Sequence, residues 1–167
     1  MVIYKYCPKC KYPLETSEEY FLCKSCGQKI YKNPKPCVSV LPIRGNKVLL
    51  ARRAIEPYRG EYDLIGGFMK VGETVEEAAK REVKEETGLD IRLTEILGTY
   101  PDQYGLNGDY TINIQYLAKI VGGKMMAKDD IDFLEWIRID NLPKRLRGFK
   151  NTRESLRDLK KVVQKKI

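Results

Sequence analysis

Apolar residues gather in short β-rich runs through the middle of the chain and take helical spacing in only two places. Residues 37–43 and 47–53 are rich in Val, Leu and Ile, and Arg44-Gly45-Asn46 between them reads as a hairpin turn. Residues 62–68 form a third run, broken at Gly66-Gly67. Residues 91–100 and 110–120 pattern as strands around a loop containing Asn107-Gly108, and 133–139 as a final strand. Residues 74–86 are helical: Thr74 is the N-cap, and Glu77 three positions on completes a capping box. Gly88 stands where a helix C-terminal glycine is expected. A second helix starts near Asn151 or Thr152, with Leu156, Leu159 and Val163 as its apolar stripe. Strands outnumber helices and their order is mixed, which predicts an α/β sandwich with a mixed sheet.

The first helix carries the sharpest chemical signal. At about 100° per residue, Val75, Ala78, Ala79 and Val83 fall within an arc of about 140°, the stripe to be buried. Glu82, Glu85 and Glu86 fall within about 100° of arc and overlap that same stripe. Glu76, Glu77, Lys80, Arg81 and Lys84 take the opposite side. A solvated charge face explains the second group and not the first. Three carboxylates at an apolar edge repel one another and resist desolvation, unless divalent cations sit among them. An all-oxygen set with room for water and phosphate suits Mg²⁺ or Mn²⁺. Just upstream, Gly66-Gly67 would let the backbone approach a ligand closely, or would simply make a turn.

Near the N-terminus, Cys7-Pro-Lys-Cys10 and Cys23-Lys-Ser-Cys26 form two CxxC pairs separated by 12 residues. Each pair presents two thiolates to one point, and two pairs complete a tetrahedral S₄ site suited to Zn²⁺. Disulfides and free thiols are the alternatives. With all four positions filled by sulfur the zinc would be structural, and a segment so poor in apolar residues needs it to fold. Cys37 stands apart and reads as a small buried hydrophobe.

Length and charge then narrow the class. The 167 residues make about one domain with a little left over. The divisions expected are a zinc ribbon over 1–32, a stiff linker at 33–36 (Asn-Pro-Lys-Pro) and a body over 37–167 ending in a basic helix. No apolar run approaches the roughly 18 residues of a membrane span, and Met1 is not followed by a basic then apolar leader. A soluble, cytoplasmic protein without a membrane partner is expected. There is no histidine, which excludes a His-based triad and a His-ligated metal. The net charge of +8 is uneven: residues 1–36 hold 7 Lys/Arg against 3 Asp/Glu, 37–142 hold 14 against 18, and 143–167 hold 10 against 2. A basic tail more often keeps a helix solvated than grips nucleic acid, so nucleic-acid binding is not the favoured reading.

The central residues also spell a motif: Gly67, Glu73, Arg81, Glu82, Val83, Glu85, Glu86, Gly88 and Leu89, at Nudix-box spacing. From about residue 36 to its end the chain resembles a Nudix hydrolase. The ribbon ahead of it is similar to the arrangement in NADH, ADP-ribose and FAD diphosphatases. The resemblance implies a Nudix α/β/α sandwich and metal-dependent hydrolysis of a nucleoside diphosphate linked to another group, ADP-ribose or a dinucleotide first. It implies that Glu82 and Glu86, with the Gly67 carbonyl, hold Mg²⁺ or Mn²⁺. Glu85 would bind a second ion or orient the attacking water. Glu73 and Arg81 would pair and brace the loop. A further acid from a later loop is expected among Asp129, Asp130, Asp132 and Glu135.

Two positions depart from the family's usual pattern. Ile65 stands where Pro is common, and Lys70 stands where Glu is common, so Lys70 either contacts phosphate or points outward. Substrate contacts are expected among Arg52, Arg53, Tyr58, Tyr62, Phe68 and Tyr104, with Arg53, Tyr62, Phe68 and Tyr104 foremost. The rival class is a non-catalytic adapter that senses a nucleotide and binds RNA through the ribbon and basic tail. The ribbon could alternatively serve as a homodimer surface.

Overall fold

The computed structural model describes residues 4–106, 108–143 and 146–165. Of the predicted Asn107-Gly108 loop, Asn107 lies outside them. A small three-stranded antiparallel sheet comes first, formed by β1 (Glu15–Thr16), β2 (Tyr20–Leu22) and β3 (Lys29–Tyr31). The larger sheet follows: β4 (Lys35–Arg44), β5 (Lys47–Arg53), β6 (Tyr62–Asp63), β7 (Ile65–Phe68), β8 (Leu89–Gln103), β9 (Tyr110–Gly123) and β10 (Ile131–Arg138). Its main path runs β10-β5-β4-β9-β8, with β6 against β5 and β7 against β4. β4 and β9 are parallel and the other pairs antiparallel, so the sheet is mixed.

Helices α1 (Val75–Thr87) and α2 (Lys150–Lys165) cover its two faces. Val38 and Val40 of β4 and Leu49 and Ala51 of β5 pack with Ala78, Ala79 and Val83 of α1. The alternate residues Leu41, Val48 and Leu50 pack with Leu156 and Leu159 of α2. Both phases of the strand period are buried, which is why these strands read as almost unbroken apolar runs. The result is an α/β/α sandwich. Among the described residues no helix is long and apolar enough to cross a membrane.

Two local expectations change. Lys35 and Pro36 already pair with Thr111 and Ile112, so the second half of the stretch read as linker is strand. Gly66-Gly67 does not break its run; both lie inside β7, and the break falls at Leu64. β7 needs glycine because it lies flat against its neighbours. A Cβ on Gly66 would collide with the Val38 carbonyl oxygen, and one on Gly67 would stand 2.9 Å from the Glu82 carboxyl group.

Candidate functional site

The local rules that place α1 are those its sequence announces. The Thr74 hydroxyl accepts from the Glu77 N–H, the Glu77 carboxylate accepts from the Thr74 N–H, and Gly88 ends the helix in the left-handed conformation at φ 69°. With Ala78, Ala79 and Val83 seated on the sheet, Glu82 and Glu86 must face β7. The Gly66 N–H donates to Glu86 Oε2 at 2.9 Å, the one hydrogen bond the Glu86 side chain receives among the described residues. Glu86 is only 6% exposed. Burial pushes its carboxyl up to about 9, and the nearby charges of Glu82, Asp63 and Asp130 add to the rise. Burial raises Glu82 as well, with Arg81 partly offsetting it. Glu85 is more open; burial pushes it upward, but hydrogen bonds from Arg81 and Lys70 outweigh this and leave it lowered.

Arg81 organises these acids. Its Nε and Nη2 donate to Glu73 at 2.9 and 2.6 Å, and its Nη1 donates to Glu82 at 2.5 Å and Glu85 at 2.9 Å. Nη2 also reaches the Phe68 carbonyl at 3.2 Å, tying the helix to the end of β7. The Arg81 guanidinium and the Lys70 N–H hold Glu73 down to about 2. The Arg81–Glu73 fork braces the loop against the helix and holds Glu82 and Glu85 in place. Lys70 turns inward and pairs with Glu85 at 3.3 Å.

These side chains line a cavity of about 340 Å³. Its walls bring together Gly67, Arg81, Glu82, Glu85 and Glu86 with Arg53, Phe68, Tyr104, Asp129 and Asp130. Asp132 is elsewhere, paired with Arg52 at 2.8 Å. Glu135 is also elsewhere, accepting from the Tyr62 hydroxyl. Tyr62 itself is therefore a correction: it lines a separate, shallow hollow with Glu135 and Trp136, because β6 turns it away from the cavity.

Several cavity residues escaped the sequence reading, Phe149, Asp63 and Asn151 among them. Phe149, just ahead of α2, lies 5.5 Å from Tyr104 between ring centres and 5.1 Å from the Arg53 guanidinium. As the one aromatic residue in the basic tail, it was the available signal. Asp63 is partly buried and accepts from Arg53 Nη1 at 3.1 Å and from the Thr152 hydroxyl at 2.6 Å. A lone acid within the apolar 62–68 run was its signal. Asn151 carried none; it is fixed by Asp102, which accepts from its N–H at 2.7 Å and its Nδ2 at 2.9 Å. Arg53 keeps one buried donor, Nη2, without a hydrogen-bond partner among the described residues.

The donor sets fit two kinds of ion. The carboxylates of Glu82, Glu85 and Glu86 and the Gly67 carbonyl at the cavity are hard oxygens, and a buried carboxylate among like charges is the setting a divalent cation relieves. In the ribbon, the four cysteine sulfurs lie within 4.8 Å of one another, with Cys7–Cys26 at 3.7 Å and Cys10–Cys23 at 3.4 Å. Tetrahedral Zn–S bonds of about 2.3 Å set sulfurs about 3.8 Å apart, so the set fits Zn²⁺. The two knuckles are built alike: the residue after each second cysteine, Lys11 and Gly27, takes positive φ, and its N–H bonds back to Cys7 or Cys23. Gly27 adopts that conformation freely, Lys11 at some cost.

Comparison with known proteins agrees with this geometry. Residues 33–159 match the family model described as the NUDIX domain. The chain is 38% identical over 116 residues to an ADP-ribose pyrophosphatase of Methanocaldococcus jannaschii, covering 70% of this chain and 69% of that one. It is 32% identical over 148 residues to the NAD-capped RNA hydrolase NudC of Stutzerimonas stutzeri, covering 84% of this chain and 50% of that one. The chain thus spans about half the length of the NAD-capped RNA hydrolases it matches. Among solved structures, a NUDIX hydrolase from Nitrosomonas europaea superposes with a TM-score of 0.80 at 26% identity, covering 97% of this chain and 93% of that one.

Proposed function

The chain belongs to the Nudix hydrolase family, and from that premise we propose that it hydrolyses the diphosphate of an ADP-linked small molecule, ADP-ribose first and a dinucleotide such as NADH or FAD next. The observation that carries this reading is Glu86, a buried carboxylate held by one backbone donor on the wall of a cavity lined by further acids. Glu82 and Glu86, with the Gly67 carbonyl, would hold Mg²⁺ or Mn²⁺. When bound, such an ion neutralises the diphosphate and makes its bound water a stronger nucleophile. Glu85, more exposed and tethered to Arg81 and Lys70, binds a second ion or orients the attacking water. Of the four loop acids, Asp129 and Asp130 are the two at the cavity.

On the substrate side, Phe68, Tyr104 and Phe149 offer ring faces for a base, and Arg53 Nη2 offers an unpaired donor to a phosphate oxygen. Residues 1–32 act as a ribbon ordered by structural Zn²⁺, ahead of a catalytic body. The names of the pyrophosphatase and the NAD-capped RNA hydrolases support a diphosphate as the scissile group. An adapter without turnover has less support, because it would have no use for this many costly acids in one cavity.

The deciding experiment incubates the full chain with ADP-ribose, NADH, NAD⁺, FAD, diadenosine polyphosphates and nucleoside triphosphates, with Mg²⁺ or Mn²⁺, and weighs the products. ADP-ribose plus water should give AMP and ribose 5-phosphate. Release of no mononucleotide from any of these compounds would overturn the reading.

A further inference from the structure

Lys70 lies on the wall of the main cavity, just past the end of β7, and its ammonium pairs with Glu85 Oε1 at 3.3 Å. We propose that Lys70 supplies, from the chain itself, the positive charge that meets the substrate diphosphate beside Glu85, so that the cavity takes a divalent ion at Glu82 and Glu86 and none at Glu85. The proposal rests on the diphosphatase reading for the identity of the ligand. Of the two roles left open to Glu85, it selects the orienting of the attacking water.

Charge is the first support. Glu85 is already neutralised, because each of its carboxylate oxygens accepts from a different cation: Oε1 from Lys70 Nζ, and Oε2 from Arg81 Nη1 at 2.9 Å. Glu86, by contrast, lies buried and is met by a neutral backbone donor, the Gly66 N–H. A divalent ion is drawn most strongly to the acid whose charge is least offset, which is Glu86. An ion at Glu85 would have to displace two cations or stand against them. Anchorage is the second support. The Lys70 N–H donates to Glu73, Arg81 grips the Glu73 carboxylate, and Arg81 also reaches the Phe68 carbonyl. One guanidinium thus fixes both the backbone of Lys70 and the carboxylates around its side chain, and only the flexible stem is left to move.

Reach is the third. An ammonium has three donors, and Glu85 takes one of them. The Lys70 side chain is 62% exposed, so no core holds it, and it shares the cavity wall with Glu82, Glu86 and Arg53. A diphosphate in that cavity therefore meets a compact point charge on a flexible stem, able to follow a phosphate oxygen as charge builds on it. A carboxylate at position 70 would instead stand against Glu85, and two like charges there would need an ion between them.

The test uses the full chain with zinc in the ribbon, and the variants Lys70→Gln and Lys70→Glu. The first measurement counts Mn²⁺ bound per chain by electron paramagnetic resonance, with no substrate present. Lys70→Glu should take up about one more ion per chain than the wild type. The second measures, by calorimetry without added divalent ions, the affinity for ADP-ribose in which the bridging oxygen of the diphosphate is replaced by a methylene group. Lys70→Gln should bind this probe about tenfold more weakly than the wild type. Both variants should melt with the wild type, since the side chain is exposed. Equal ion counts, or equal affinities for the probe, would overturn the proposal while leaving the hydrolase reading intact. Failure of the wild type to cleave any diphosphate compound would instead sink the hydrolase reading. The manganese count needs no turnover, and it would still decide whether Lys70 stands in for an ion.

Discussion

The ribbon and the body each gather side chains of the kinds that can ligate a metal, and they do so on opposite terms. Among residues 4–32 the buried apolar side chains are Cys7, Phe21 and Cys23, and two of those three belong to the cysteine cluster that could hold a metal. That leaves little apolar core among the described residues, so an ion bound there would make the structure. The body buries two apolar layers around one sheet and folds on those alone. It then holds Glu86 where an ionised carboxylate resists standing, so on the proposed reading the structure would make the metal site. Counter-charge differs as well: the thiols cluster with one another, whereas Glu73, Glu82 and Glu85 share Arg81.

The largest expected effect breaks the two regions apart. Removing zinc with a strong chelator, or changing Cys23→Ser, should abolish amide protection across residues 4–32. Apparent zinc binding in such sites is worth on the order of 10 kcal/mol. Strands β4, β5 and β9 should keep their protection. Hydrogen exchange read by mass spectrometry checks this, and joint collapse of the sheet would show one cooperative unit instead. Next in size, Glu86→Gln should lower turnover of the cleaved diphosphate by about 10²–10³-fold. Without divalent ions it should preserve Tm below pH 4.5, where the Glu86 carboxyl is mostly uncharged in the folded and unfolded chains alike, and raise it toward pH 9, where folding must either protonate that carboxyl or bury its charge. Near-normal turnover with Mg²⁺ would contradict the role given to Glu86.

A smaller loss, about 10–100-fold, is expected for Arg81→Lys, which keeps the charge but cannot fork onto Glu73 while bridging Glu82 and Glu85. Its kinetics in Mg²⁺ titrations should show weakened metal dependence, not altered substrate affinity alone. The pH response follows from Glu86, whose folded value of about 9 lies far above its ordinary 4.5. The folded protein binds more protons than the unfolded chain between those values. Without divalent ions, Tm should therefore fall as pH rises from about 5 to about 9, and Glu86→Gln should flatten that slope. A melt series in chelator at several pH values reads the sign directly. The smallest effect belongs to Tyr62→Phe. It breaks a hydrogen bond to Glu135 outside the cavity, so it should cost about 1 kcal/mol of stability and leave kcat and KM within about twofold.

What the chain announces and what it hides divide along the same line. Helix α1 was legible to its caps, because Thr74, Glu77 and Gly88 act within a turn of the backbone they satisfy. The cysteine knuckles were legible because CxxC closes locally. Phe149, Asn151 and Asp63 were not, since what brings them to the cavity is contact between distant segments; the Asp63–Thr152 bond spans 89 residues and leaves no period in the sequence. Tyr62 was misplaced for a related reason. An aromatic two residues before Leu64 reads as a wall of the same cavity, yet a two-residue strand paired to β5 points it at Glu135. Gly66-Gly67 misled in the other direction, because glycine marks close approach within a strand as readily as it marks a turn.

The claim at the centre is that Glu86 completes a divalent-ion site in the body. Manganese titration followed by electron paramagnetic resonance tests it most directly, using the full chain with zinc in the ribbon. The wild type should quench the free Mn²⁺ signal to a saturable end point that Glu86→Gln fails to reach. Superimposable titrations for the two proteins, with both fully folded, would contradict the account.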